Sequence, residues 1–317
     1  MVFIKGTSPL NIKEQITTNN IIKHLEFDYN KNLKNISFLS EKYPFLEVDK
    51  IGKSVVGRDI HVLTLGRGQE DVLYLGAFHG NESITATLLL LFLERLCDAI
   101  CNPNHTYHTE FIELLQKRRI HFVPIVNPDG CEISAKGEKS AGIFEKTVKK
   151  LGSMNFCKWS ANARGVDINH NFDAKWEELH EIERMHGIYG PRNSRYGGEH
   201  PESEPETKAI VNFCRNHNII RAYAFHSQGE VIYWDFDKIE VKNAYKIASV
   251  LSDTSGYALD VPTGLAVGGG FKDWFISEFC RPAFTIEIGK GENPLPLSQT
   301  TVIYKKIKKM LFTSLFI

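Results

Sequence analysis

Apolar residues along this chain fall into short runs separated by polar punctuation, and the clearest run organises the rest. Residues 72–78 (Val-Leu-Tyr-Leu-Gly-Ala-Phe) have strand length and break at His79-Gly80-Asn81. A second apolar segment, 84–96, is too long for a strand and closes near Glu94, Arg95 and Cys97, so it predicts a helix. Strand, short turn and helix thus follow one another. The same reading predicts a helix near 29–43 before Pro44, two strands about Gly57-Arg58-Asp59, and a helix over 110–117. A strand over 119–126 closes at Asn127-Pro128-Asp129-Gly130, four turn formers in a row. Residues 131–163 read as irregular except for a basic helical piece near 145–151, and 189–201 read as a surface loop. Ser203-Glu-Pro-Glu206 has the spacing of a capping box opening a helix through Ile210, Val211, Phe213 and Cys214. Strands over 219–225 and 231–234, a helix over 241–255, a flexible stretch over 264–270 and a helix over 271–279 come next. A last strand leads to Glu287, and Val302, Ile303, Ile307, Met310 and Leu311 give the tail helical spacing. Alternation without linker or repeat predicts one α/β domain, 1–317, with 1–42 as lead-in and 43–317 as core ending in a helix.

In open α/β sheets ligands bind at the carboxyl ends of strands, which is where His79 and Glu82 fall. One imidazole and one carboxylate three residues apart suit zinc, whose catalytic sites take three protein ligands and keep a position open. A second His-x-x-Glu, His180 to Glu183, has no strand before it and reads as a solvated helix face. His226, at the end of another strand, fits as the third ligand; taken alone, it reads equally well as a core histidine bonded to backbone. Glu287 interrupts an otherwise apolar strand. A carboxylate buried there is costly unless it is paired or used, and desolvation raises its pKa toward that of a general base.

Composition narrows the partners. Basic and acidic residues number 38 each, which gives no global electrostatic basis for binding nucleic acid or an anionic membrane. The first residues lack an apolar signal core, no apolar run reaches membrane-spanning length, and the six cysteines are scattered. Together these predict a cytoplasmic protein with reduced thiols. Oligomeric state is left open.

His79-x-x-Glu82, Asn127-Pro-Asp-Gly130, Gly165-Val-Asp-Ile-Asn169, His226-Ser-Gln and Thr285-Ile-Glu287 occur in the order and spacing of the zinc carboxypeptidases of the carboxypeptidase A type. The resemblance covers residues 43–289. It implies an α/β fold with a mixed sheet of about eight strands flanked by helices. It further implies one Zn²⁺ per chain on His79, Glu82 and His226, with Glu287 as general base and proton shuttle.

Three features depart from that family. The Asn-Arg pair that clamps a terminal carboxylate is here Asn169-His170, and imidazole replaces neither the geometry nor the permanent charge of a guanidinium fork. The arginine expected to hold the oxyanion is absent upstream, leaving Lys158 or Arg164 as substitutes. The usual loop tyrosine is Leu265. The runs 161–173, 203–207, 225–230 and 286–295 resemble the bacterial γ-D-glutamyl-meso-diaminopimelate peptidases. That branch implies a small cell-wall peptide (a muropeptide) as substrate, contacted by Asn169, His170, Lys272 and Arg164. The competing expectations are an ordinary carboxypeptidase cutting α-linked C-termini and an inactive binding protein on the same scaffold.

Overall fold

The computed structural model describes residues 28–152 and 155–317, so most of the expected lead-in lies outside the described residues. Eight strands form one sheet: β1 (Glu47–Lys53), β2 (Asp59–Leu65), β3 (Glu70–Leu75), β4 (Arg118–Val123), β5 (Ile219–His226), β6 (Val231–Tyr233), β7 (Ala258–Asp260) and β8 (Ala283–Glu287). The helices among the described residues are α1 (Tyr29–Lys42), α2 (Ser83–Cys101), α3 (His108–Lys117), α4 (Pro128–Lys136), α5 (Glu145–Leu151), α6 (Trp176–Met185), α7 (Pro205–Arg215), α8 (Ala244–Ser255), α9 (Phe271–Phe279) and α10 (Thr300–Ser314).

The sheet order is β1-β2-β4-β3-β5-β8-β6-β7. β4, β3, β5 and β8 run parallel at its centre, while β2 and β6 join antiparallel on either side, so the sheet is mixed as expected. Alternation along the strands splits the core into two layers. Val72, Tyr74, Tyr223, Phe225 and Ile286 pack with residues of α1, α2, α3, α8 and α10. Leu73, Leu75, Ala222, Ala224 and Ala283 pack with residues of α7 and α9 on the opposite face. α2 is buried on nearly all sides, which explains the apolar run from Leu88 to Leu93 at its centre. Among the described residues, no helix is long and apolar enough to cross a membrane.

Two local expectations are corrected. Asn127-Pro-Asp-Gly130 is a helix start rather than a free turn. The Asn127 side chain accepts from the Gly130 amide, and Pro128 occupies the first turn, where a missing N–H costs nothing. The capping box does not form. α7 is capped at Glu204 without a side-chain bond, and Glu206 turns inward to accept from the Val55 amide. The tertiary partner wins because Glu206 is fully buried and must find a donor there.

Candidate active site

Three adjacent parallel strands, β3, β5 and β8, release their chains at the same edge of the sheet. After β3 the buried Ala77 takes a left-handed conformation (φ 47°), and His79 opens a single turn that carries Glu82. Gly80 between them is required by packing, because a Cβ there would lie 2.2 Å from the Gly130 carbonyl oxygen. His226 is the last residue of β5 and lies in register with Glu287, the last of β8. Residues distant in sequence thus converge because their strands neighbour one another.

His79 Nδ1 lies 3.0 Å from Glu82 Oε1, and His226 Nδ1 lies 3.2 Å from Glu82 Oε2. The two Nδ1 atoms are 3.3 Å apart, and ligand atoms of all three residues fall within 4.8 Å of one another. The far side of the His79 ring, Nε2, is 3.1 Å from Asp167 Oδ1. Asp167 also accepts from the Asn169 and Arg195 amides, so it acts as an ionised acceptor. A proton held on Nε2 by Asp167 leaves the Nδ1 lone pair directed at Glu82 and His226. Two nitrogens and a carboxylate facing one point repel unless a proton or a cation lies between them. That donor set fits zinc. The His226 ring is fixed by stacking on Phe78 at 5.1 Å.

The electrostatics agree. Burial works against a charge on Glu82, yet His79 and His226 pull its pKa down to about 2. Burial likewise opposes protonation of His79, but Glu82 and Asp167 outweigh it and raise its pKa well above the usual imidazole value. A group that attracts a proton this strongly will also attract a cation competing for the same lone pair. Glu287 differs: burial first, then the nearby Glu82 charge, push its carboxyl well above the usual range. Two carboxylates in one site therefore hold opposite protonation tendencies, the arrangement that separates a ligand from a base.

These residues line a cleft of about 560 Å³. Asn169, His170, Lys272, Leu265 and Glu287 also face it. Asn169 Oδ1 accepts from the Phe271 amide, which ties it to α9. His170 Nδ1 lies 2.8 Å from Glu183 Oε1, and the Glu183 carboxylate also meets His180 Nδ1 and the Gly197 amide. Glu183 is fully buried, so the second His-x-x-Glu is a buried anchor for His170 rather than a solvated face. The charged spacing of α6 concealed this, since its partners come from outside the helix. Lys272 is buried, with its ammonium bonded to the Asp235 carbonyl and the Asp273 carboxylate. Burial raises the Asp273 pKa, and Lys272 opposes that rise.

Lys158 and Arg164 are not among the residues lining this cleft. Lys158 is exposed and paired with Glu292, and Arg164 sits 3.5 Å from Glu204. Arg195 and Asn293, which sequence reasoning missed, do line it. Arg195 lies in the Gly- and Pro-rich segment that reads as a loop, and nothing in its local pattern distinguishes it from a solvated arginine.

A family model described as zinc carboxypeptidase matches residues 33–310. Gamma-D-glutamyl-L-diamino acid endopeptidase 1 of Lysinibacillus sphaericus is 35% identical over 294 residues, covering 92% of this chain and 72% of its own. Among solved structures, carboxypeptidase A from Helicoverpa armigera superposes with a TM-score of 0.69 at 16% identity, covering 91% of this chain and 73% of its own. Murein-tripeptide amidase MpaA from Escherichia coli O157 gives 0.56 at 21% identity, covering 85% and 91%.

Proposed function

The chain belongs to the zinc carboxypeptidase family and is a zinc metallopeptidase, and from that premise we propose that it hydrolyses the γ-D-glutamyl–meso-diaminopimelate bond of peptides derived from peptidoglycan. In this reading His79, Glu82 and His226 hold one zinc ion per chain. When bound, zinc supplies a Lewis acid for the scissile carbonyl and lowers the pKa of water at the site. Asp167 fixes the tautomer and orientation of His79. Glu287, with its raised pKa, takes a proton from the attacking water and returns it to the departing amine. Arg195 at the cleft, its amide bonded to Asp167, is assigned the developing oxyanion charge in place of Lys158 or Arg164.

The observation that carries the substrate assignment is the buried Lys272–Asp273 pair facing the cleft. The free end of meso-diaminopimelate bears an amine and a carboxylate on one carbon. The ammonium and carboxylate, already paired with each other and with the Asp235 carbonyl and Gly268 amide, present a polar wall that complements that zwitterion and offers an ordinary apolar side chain no matching surface. His170, fixed by Glu183, and Asn169 supply a second polar wall for the remaining carboxylates. The likeness to the L. sphaericus endopeptidase supports the same bond. Six unpaired cysteines support a reducing, cytoplasmic setting.

The test is a digest of L-Ala-γ-D-Glu-meso-diaminopimelate by the zinc-loaded protein, with products separated by mass. Release of L-Ala-D-Glu and free diaminopimelate is expected. An intact tripeptide, alongside rapid cleavage of an α-linked peptide, would reject the assignment.

A further inference from the structure

Asn293 follows Glu287 by six residues, yet its side chain reaches back to Glu82. Its Nδ2 donates to Glu82 Oε1 at 3.3 Å and to the Ser227 carbonyl. Its Oδ1 accepts from Ser227 Oγ at 2.8 Å. Ser227 closes the ring by donating its own amide to Glu82 Oε2 at 3.3 Å. Each oxygen of the Glu82 carboxylate therefore meets one imidazole nitrogen and one donor from this ring.

We propose that Asn293 is a positioning residue for the metal centre, setting the plane of the Glu82 carboxylate so that it can bind zinc together with the two imidazoles. The inference rests on the reading of His79, Glu82 and His226 as zinc ligands. The chemistry requires a primary amide here. One carbon must carry a donor with two protons, for Glu82 and for the Ser227 carbonyl, and an acceptor for the Ser227 hydroxyl. An aspartate of the same shape cannot donate and would set a second negative charge beside Glu82. Two contacts hold the segment in place: the Ile288 amide donates to the His226 carbonyl at 2.8 Å, and the Gly229 amide to the Gly289 carbonyl at 2.9 Å. Asn293 thereby ties the strand end that carries Glu287 to the turn that carries Glu82. Its effect on zinc passes through Glu82, so it is not itself a ligand.

The experiment measures the zinc dissociation constant by competition with a chromogenic chelator, and the thermal midpoint of the metal-free protein, for wild type, Asn293→Ala, Asn293→Asp and Ser227→Ala. Asn293→Ala should bind zinc about 10–100-fold more weakly, and Asn293→Asp at least as weakly. Ser227→Ala, which keeps its backbone amide on Glu82, should lose less. The midpoint of metal-free Asn293→Ala should move only a few degrees. Zinc affinity within about twofold of wild type in the folded Asn293 variants would overturn the proposal. So would a loss of affinity matched by collapse of the metal-free Asn293→Ala midpoint, which would mark a residue that merely supports the loop. If Asn293→Ala does not fold, the Asp variant decides by the same affinity criterion. His79→Ala separates the two levels of argument. Zinc retained in that variant overturns the ligand reading and this inference with it, whereas zinc lost there but unchanged in the Asn293 variants overturns this inference alone.

Discussion

Glu206 offers a prediction that can be worked from the structure before any substrate is added. Its carboxyl is fully buried, accepting from the Val55 amide at 3.0 Å and lying 3.3 Å from Asn162 Nδ2. Burial, reinforced by the neighbouring Asp129 and Glu204 charges, pushes its pKa from 4.5 up to about 8. Below pH 4.5 the folded and unfolded chains both hold the proton, and the neutral carboxyl costs nothing. Above 4.5 the unfolded chain releases it while the fold retains it, so stability falls as pH rises until about 8 is passed. At roughly 1.4 kcal/mol per pH unit, the interval from 4.5 to about 8 corresponds to about 5 kcal/mol. Glu206→Gln has nearly the same shape and is neutral at every pH. Between pH 5.5 and 7.5 the wild type should therefore lose about 2.5 kcal/mol relative to the variant. That corresponds to a relative thermal shift on the order of 5 °C for a chain of this size. Denaturation of both proteins across that range, compared pair by pair, isolates Glu206 from the other titrating groups. Parallel pH profiles would refute the reasoning, because Glu206 would then be ionised within the fold.

Glu287→Gln should retain zinc by elemental analysis and lose at least about 100-fold in kcat, the usual scale for a general base; retention of most turnover would assign the base elsewhere. Replacing diaminopimelate by lysine in the tripeptide removes the distal carboxylate, worth about 1.5–3 kcal/mol as one charged hydrogen bond. Wild type should therefore prefer the diaminopimelate peptide by roughly 10–100-fold in kcat/KM, and Lys272→Ala should abolish most of that preference. An unchanged preference would remove Lys272 from the substrate contacts. Glu183→Gln should raise KM for carboxylate-bearing peptides several-fold while kcat stays within about twofold, since His170 loses its anionic anchor but the reacting groups are untouched. A fall in kcat alone would place the His170–Glu183 pair in the chemistry instead.

The parts of the site legible in the sequence are those that strand topology delivers. His79, His226 and Glu287 each end an apolar run, and parallel neighbours release such ends at one edge, so the runs marked these positions as candidates while the family resemblance supplied their expected roles. Glu287 was conspicuous as a charge in an apolar strand. The parts that could not be read locally depend on partners far along the chain. Glu183 looked solvated because α6 carries many charges, and only His170 and Gly197 reveal why it is buried. Ser203 and Glu206 had capping-box spacing, but Glu206 found the Val55 amide 151 positions away. Arg195 and Asn293 occupy loops whose sequence records turn chemistry and not the cleft they reach. β7, three residues long and mostly exposed, lacks the apolar run that marks the central strands.

The most direct measurement of the central claim is kcat/KM for the zinc-loaded wild type on L-Ala-γ-D-Glu-meso-diaminopimelate and on a blocked α-linked dipeptide, under identical conditions. The cleft pairs a buried Lys272–Asp273 with an Asn169–His170 wall that lacks a guanidinium clamp. The account predicts cleavage of the γ-linked tripeptide at least about tenfold more efficiently, the equivalent of one lost charged contact. Equal or better cleavage of the α-linked dipeptide would contradict it and identify an ordinary carboxypeptidase.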